Sequence, residues 1–505
     1  MSINRRKFLQ ITGLSGAGVL LNGGFTSCNG NKLVKDKAVL SALSKIKEAA
    51  EKSHPQQFNM CGYAGPKLET VRVGFIGIGD RGTAAVERMA KIEGVEITAL
   101  CDMDMERVTQ RVGGNKRIFG IKAGQNILAK HQLPPAKEYI GGKDTWKELC
   151  ESPNVDLVYI CTPWNLHTPM AVYAMENGKH AASEVPAAKT VEECWQLVET
   201  SERTKKHCMQ LENCCYDFFE LLTLNMARQG FFGEIIYADC AYLHDLTDWN
   251  FNKDLFWDMW RLKENQNRNG NLYPTHGLGP VCQILNINRG DKMEYLSSMS
   301  SNDFTMGKKA AELAKEDKFF EPFNTNNYCG NMNVTSIRTN KGKSIMVQHD
   351  VSSPRPYSRI HAVSGTDGFA QKYPEPGKIS KKHEFLNEEE MKKIQEQYTP
   401  KIVNLVGEMA KKVGGHGGMD FLMDWRLIDC LRNGIPLDQD VYDAALWSVI
   451  IPLSEWSVAN RSNSIDVPDF TNGQWKNNVP IDINMSNGGT TKIKKVLESS
   501  HQLKV

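Results

Sequence analysis

Val71-Arg72-Val73-Gly74-Phe75-Ile76 is an apolar run of strand length, and Gly77-Ile78-Gly79-Asp80-Arg81-Gly82 follows it without an intervening residue. Ala85, Met89 and Ile92 then recur at helical spacing. A strand passing through a G-x-G-x-x-G turn into a helix constrains the fold more than anything else in the chain. The glycine pattern alone is a weak sign; its place between strand and helix gives it meaning. Gly77 permits the tight turn, Gly79 lets the backbone approach a pyrophosphate, and Gly82 allows close helix packing. The helix start offers free N–H groups and the positive end of its dipole to that anion. Asp102 ends a second strand, Val95 to Cys101, twenty residues past Gly82. A carboxylate placed there holds the adenosine ribose hydroxyls and repels a 2′-phosphate, which favours NAD over NADP.

The alternation continues. Val155 to Cys161 reads as a further strand, His167 to Asn177 as a helix closed by Gly178, and His180 to Ser183 as a strand delivering Glu184. Thr190-Val191-Glu192-Glu193 is a capping-box start for the next helix. Strands and helices in this order give an α/β fold, a Rossmann-type doubly wound parallel sheet. Beyond about Asp217 the rhythm changes: Ile236, Ala238, Cys240 and Tyr242 alternate as in a half-exposed strand, as does Ser344 to Val351. That predicts a second, α+β domain on a mainly antiparallel open sheet. Residues 371–416 are Lys/Glu-rich and read as peripheral, and helical patterns around Met419–Arg432 and Val441–Arg461 close the chain. The expected division is a leader over 1–28, a polar extension over 29–69, a dinucleotide-binding domain over 70–215, and a substrate and oligomerisation domain over 216–505.

The leader is read from Asn4-Arg5-Arg6-Lys7-Phe8-Leu9, a twin-arginine pair before an apolar run from Ile11 to Leu21, then Ser27-Cys28. This is the order of an export signal. It predicts a periplasmic or cell-surface protein, with Cys28 as a candidate lipid anchor although Phe25 replaces the usual Leu. No other stretch reaches the roughly 18 apolar residues that span a bilayer. The net charge of +2 gives no broad basic field for nucleic acid. Thirteen cysteines are scattered with no Cys-x-x-Cys and no His-Glu-x-x-His, so neither a disulfide framework nor a metal site is expected.

Five further groups of residues narrow the reading. The fingerprint, Cys161-Thr162-Pro163-Trp164-Asn165-Leu166-His167 and Glu184-Val185-Pro186-Ala187 resemble the glucose–fructose oxidoreductase / inositol dehydrogenase superfamily. Gln210-Leu211-Glu212-Asn213, Gly270-Asn271-Leu272-Tyr273-Pro274-Thr275-His276-Gly277 and Gly415-His416-Gly417-Gly418-Met419-Asp420 resemble glycoside hydrolase family 109, NAD-dependent α-N-acetylgalactosaminidases. That resemblance implies cofactor contacts at Asp80, Arg81, Asp102, Trp164, Asn165, Leu166, His167, Glu184, Val185 and Asn213. It implies sugar contacts at Glu212, Tyr242, Arg261, Tyr273, Pro274, Thr275, His276 and Tyr357. It also implies a homo-oligomer acting on a glycan or glycoside. Many relatives in the wider superfamily read Glu-Lys-Pro, with the lysine moving a proton, whereas this chain has Val185. Valine cannot do so, and His276 is the candidate in its place, with Tyr273 and Tyr242 beside it.

The implied reaction oxidises one sugar hydroxyl, eliminates the C1 substituent, adds water, and reduces the ketone with the hydride kept on a tightly bound NAD. It needs a base that titrates near neutrality, which histidine is. Taken alone, Tyr242 reads equally as a core-edge aromatic and Arg261 as a surface charge beside Glu264. Trp249, Trp257 and Trp260, interleaved with Asp248, Asp254 and Asp258, read either as a sugar-stacking rim or as a packed loop. Two other functions fit the same fold: a sugar oxidoreductase with bound NAD(P), and a sugar-binding protein that keeps the dinucleotide fold as scaffold. Export favours a redox-neutral cycle, because little NAD is available for exchange outside the cytoplasm.

Overall fold

Val71–Ile76 forms strand β1, which pairs in parallel with β2 (Val95–Asp102) on one side and β4 (Leu157–Ile160) on the other. The computed structural model describes residues 37–108 and 124–494; the expected export signal and Cys28 lie outside the described residues. With β3 (Lys137–Ile140), β5 (His180–Ser183) and β6 (Cys208–Gln210) the strands make a six-stranded parallel sheet of order β3-β2-β1-β4-β5-β6. This is the doubly wound dinucleotide order, whose binding crevice opens at the carboxyl ends of β1 and β4. Strands covered on both faces read as continuous apolar runs, so β1 and β4 stand out in the sequence. β3 leaves Lys137 and Glu138 exposed and β6 has three residues, and sequence reading finds neither.

Helix α1 (Asp80–Met89) follows β1, α2 (His167–Glu176) follows β4, and α3 (Val191–Thr204) follows β5. α3 begins with the predicted capping box, Thr190 accepting from the Glu193 amide and Glu193 accepting in return.

The second sheet has nine strands: β7 (Ile235–Leu243), β8 (Met293–Ser300), β9 (Asn333–Thr339), β10 (Ser344–Asp350), β11 (Ala362–Gly365), β12 (Gly368–Gln371), β13 (Lys378–Lys381), β14 (Glu384–Phe385) and β15 (Ile465–Asp466). β7 and β10 run parallel and the other described pairings are antiparallel, giving the predicted mainly antiparallel sheet. Helix α4 (Thr275–Ile284) lies directly on β7. A Cβ on Gly277 would sit 2.5 Å from the Ala241 nitrogen, so only glycine permits that approach. In the Lys/Glu-rich region, the helix Glu388–Tyr398 buries no residue, whereas Lys401–Val413 buries Ile402, Val406, Gly407 and Ala410.

Helices α5 (Met419–Asn433) and α6 (Val441–Ala459) are buried for most of their length. α5 returns to the first sheet, where Tyr159 Oη donates to Asp424 Oδ1 at 2.8 Å and Arg88 Nε donates to Asp424 Oδ2 at 2.6 Å. Chain order is therefore not spatial order. The later part of the extension is also tied down, the Leu68 amide donating to the Leu431 carbonyl at 3.1 Å and the Met60 amide to Tyr442 Oη at 3.1 Å. Among the described residues no helix is long and apolar enough to cross a membrane, and twelve cysteines are free.

Candidate active site

A cavity of about 270 Å³ opens at the carboxyl ends of β1 and β4 and continues to the second domain. Its wall carries Gly77, Gly79, Asp80, Arg81 and Asp102 at one end and Trp257, Trp260, Arg261 and Tyr273 at the other. Trp164, Leu166, His167, Glu184 and Val185 lie between. Gly77 has φ +88°, and a Cβ there would meet the Cys161 carbonyl oxygen at 2.6 Å. A Cβ on Gly82 would meet the Gly77 carbonyl oxygen at 1.8 Å, so α1 packs against the turn as its glycines require. Over Gly79 the space is open, with only Arg107 Nη1 within 4 Å, at 3.7 Å. Gly79 caps α1 without a side-chain hydrogen bond, leaving the helix's amides to face an anion. Asp102 Oδ2 accepts from the Ile78 amide at 2.7 Å, and Oδ1 from the Asp104 amide at 2.9 Å. These features fit a dinucleotide: pyrophosphate over Gly79, ribose at Asp102.

Several predicted cofactor residues on the wall are tied to one another and to groups behind it. Arg81 bridges two carboxylates, Glu184 Oε1 at 2.7 Å and Asp420 Oδ2 at 3.0 Å, and His416 Nδ1 lies 2.9 Å from the same Asp420 oxygen. Asn213 Nδ2 donates to Asp420 Oδ1 at 2.5 Å. Arg81 and Arg88 hold Asp420 well below the usual carboxylate range although burial pushes the other way. His416 and its neighbours Gly415, Gly417 and Gly418 all have positive φ, the turn that carries Asp420 to the glycine loop. His167 is buried with both ring nitrogens 2.7 Å from carbonyls, those of Pro186 and Thr162, and ties together the loops after β4 and β5. Gly82, Asn165 and Asn213 lie off the cavity wall.

At the far end an aromatic cluster joins the domains. Trp164 stacks on Tyr273 at 5.5 Å between centroids, and Tyr273 meets Tyr242 at 4.7 Å and His276 at 4.9 Å. Burial pushes the Tyr242 and Tyr273 hydroxyls above their ordinary range, so both stay protonated at neutral pH. The Arg261 guanidinium lies 5.2 Å from the Tyr273 ring and 5.7 Å from Trp164. It is not the surface partner of Glu264, which pairs with Lys189 and Arg268. Trp257 and Trp260 line the cavity, while the exposed Trp249 packs against His244 instead. Tyr357 is half-exposed, 6.2 Å from Tyr242, with its hydroxyl accepting from Arg359 Nη1 at 3.2 Å.

His276 sits in the first turn of α4, one residue after Thr275. Its Nδ1 is 2.7 Å from Glu212 Oε1, which also accepts from the Cys214 amide at 3.1 Å. Burial alone would raise the Glu212 carboxyl, but His276 and the surrounding donors hold it below the usual range, so it is ionised at neutral pH. An ionised acceptor fixes the proton on Nδ1 and leaves Nε2 as the free, basic nitrogen. Cys214 Sγ completes a group whose ligand atoms lie within 4.8 Å of one another. Two tetrahedral zinc ligands at about 2.0–2.2 Å from an ion stand more than about 3 Å apart. At 2.7 Å, Glu212 and His276 make a direct hydrogen bond instead.

Three sequence-based assignments change. Glu212 and Thr275 have no exposed surface and Pro274 is buried, so in this structure all three lie behind His276 rather than on an open surface. They lie beneath His276 because the start of α4 is pressed onto β7 and onto Glu212, where a Cβ on Gly279 would stand 2.9 Å from Glu212 Cγ. Sequence reasoning missed Arg107, Lys143 and Trp146 on the cavity wall, and the link from Asp420 to Arg81. For Asp420 the signal was the glycine-rich Gly415–Gly418 segment before it.

Comparison with known proteins agrees with this geometry. Residues 216–477 match the glycosyl hydrolase 109 C-terminal domain, and residues 71–211 match the oxidoreductase family NAD-binding Rossmann fold. A glycosyl hydrolase family 109 protein of Porphyromonas gingivalis is 50% identical over 427 residues, 81% of this chain and 86% of that one. A Bacteroides fragilis protein named alpha-N-acetylgalactosaminidase is 49% identical over 429 residues, covering 84% of this chain and 97% of its own. Among solved structures, levoglucosan dehydrogenase in complex with NADH superposes with TM-score 0.56 at 15% identity, over 79% of this chain and 100% of that one, a likeness of fold alone. With a matching domain model over more than half its length and relatives near half identity, this chain belongs to glycosyl hydrolase family 109 and is an NAD-dependent glycoside hydrolase.

Proposed function

We propose that the protein removes a terminal α-linked N-acetylgalactosamine by an oxidation–elimination–addition–reduction cycle, with NAD retained throughout. The observation that carries the reading is the Glu212–His276 pair packed, with Tyr242, against Tyr273, which lines the end of the cavity that begins at the Gly77–Gly82 turn. The substrate follows the name of the Bacteroides fragilis relative.

NAD, which the Gly77–Gly82 turn and Asp102 would hold, would supply reversible hydride acceptance. The protein's own groups do the rest. A ketone beside C2 acidifies the C2 hydrogen, and His276 Nε2, with Nδ1 anchored on Glu212, removes that proton. Tyr242 Oη protonates the departing oxygen as the C1–O bond breaks. Arg261 and Tyr357 orient sugar hydroxyls, and Trp257 and Trp260 pack on the ring face. Val185 on the wall excludes water without offering a competing base. Retention of the cofactor is supported by the Arg81–Glu184–Asp420 bridge, which ties the glycine turn to α5. The twin-arginine leader supports export of the folded, loaded protein; a lipid on Cys28 and assembly into a homo-oligomer complete the proposal.

The test is an aryl α-N-acetylgalactosaminide in heavy water with no added cofactor. Aryl alcohol released with deuterium at C2 is the expected result. Release without deuterium, or no release at all, overturns the mechanism.

A further inference from the structure

Tyr242 poses a problem that the proposed cycle does not solve by itself. It is 6% exposed, and burial with the neighbouring Cys214 raises the cost of a tyrosinate there, Arg261 only partly opposing. A buried phenol that gives its proton to a leaving group must therefore be reprotonated in the same motion. Beside the permanently charged Arg261, which also hydrogen-bonds the phenol and cannot pass on a proton, His244 Nδ1 stands 3.1 Å from its hydroxyl.

His244 lies two residues beyond Tyr242, so on extended backbone the two side chains share a face. Its amide donates to the Asp350 carbonyl at 2.9 Å, which fixes the backbone just past β7. The ring is held edge-on by Tyr357 at 5.0 Å and by Trp249 at 5.7 Å between centroids. Trp249 is 43% exposed and Tyr357 37%, so His244 stands between a buried hydroxyl and the open rim. Burial first, then the nearby Arg261 and His276, push the imidazole down to about 4, leaving it neutral at pH 7 with one nitrogen protonated and one free. A neutral imidazole can accept a proton at one nitrogen while releasing one from the other.

We infer that His244 is a positioning residue and proton relay for Tyr242, connecting its buried hydroxyl to solvent. The inference rests on the reading of Tyr242 as the acid. During elimination the Tyr242 proton goes to the leaving oxygen, the Nδ1 proton of His244 moves to Tyr242 Oη, and a solvent proton enters at Nε2. During addition, the attacking water forms the new bond to C1 and its proton leaves by the reverse path. Glycoside and water become sugar and alcohol, with no net proton gained.

The experiment compares purified holoenzymes on two substrates, a 2,4-dinitrophenyl glycoside whose leaving group needs no acid and an alkyl glycoside whose leaving group does. His244→Phe keeps the packing against Tyr357 and Trp249 but removes both nitrogens. His244→Asn keeps an amide near the Nδ1 position and cannot conduct. Both variants are expected to lose roughly 10²–10³-fold in kcat on the alkyl glycoside and less than about threefold on the dinitrophenyl one. An equal loss on both substrates, no loss on either, or full alkyl activity in His244→Asn would overturn the relay. Tyr242→Phe run in parallel separates the two claims. If it shows the leaving-group dependence and the His244 variants do not, only the relay fails; if it shows none, the acid assignment fails first.

Discussion

Replacing Glu212 by glutamine tests the catalytic pair at the cost of one charge. The side chain keeps its volume, and an amide oxygen can still accept from His276 Nδ1, now 2.7 Å from Glu212 Oε1, and from the Cys214 amide. What disappears is the anion facing a histidine that becomes positive as it takes the C2 proton. Hydrogen bonds to charged groups contribute about 1.5–3 kcal/mol, and this one is stronger in the transition state than before it. Loss of that amount slows the step about 10- to 150-fold. Because Glu212 has no exposed surface, the fall belongs in kcat, with KM nearly unchanged. The assay is steady-state kinetics on an aryl glycoside together with the rate of deuterium entry at C2; both should fall in parallel while bound NAD stays constant. A variant with raised KM and full kcat would return Glu212 to the sugar contact that family resemblance implies, and an unchanged variant would remove it from the machinery.

Three other outcomes follow from the same geometry. Gly82→Ala puts a methyl 1.8 Å from the Gly77 carbonyl oxygen, so the variant should purify without nucleotide, read from the absorbance of a denatured supernatant; a normal NAD content would refute the turn. Arg88→Ala strips the buried Asp424 of its cation and leaves Asp420 with Arg81 alone, which should cost about 3–5 kcal/mol in chemical denaturation, and a loss under about 1 kcal/mol would contradict the ion cluster. Burial opposes ionisation of Glu220, but Arg359 and Lys372 hold its carboxyl below the usual range. A depressed folded value means stability that is present above the unfolded value and lost as pH falls, so melting temperature should drop below about pH 4. Glu220→Gln should flatten that fall; an unchanged acid limb would assign it to other carboxylates.

The first domain was legible because its information is local. β1, the glycine turn and α1 are contiguous, and a fully buried parallel strand announces itself as an unbroken apolar run. β3 and β6 carry no such signal, one being half-exposed and the other three residues long. In the second domain the parallel pairing of β7 with β10 joins segments about a hundred residues apart, and no turn chemistry marks it.

The site shows the same divide between residue type and placement. Tyr273 and His276 could be named from their motif, yet which of the motif's residues face the sugar depends on how α4 meets its neighbours. Gly277 and Gly279 let that helix settle against Ala241 and Glu212, and the approach buries Thr275 and Glu212 while leaving His276 partly exposed behind Tyr273. A glycine in a helix ordinarily reads as a weak point, costing about 1 kcal/mol against alanine. Here the missing side chains make the distance between a carboxylate and an imidazole that lie 64 residues apart in the chain. Gly279→Ala is therefore a catalytic perturbation delivered through packing: its methyl would press on Glu212 Cγ and Cys215 Sγ, both at 2.9 Å. It should lower kcat in the direction of Glu212→Gln without removing any functional group, and a Gly279→Ala enzyme of full activity would show that the contact tolerates a shift the proposed geometry forbids.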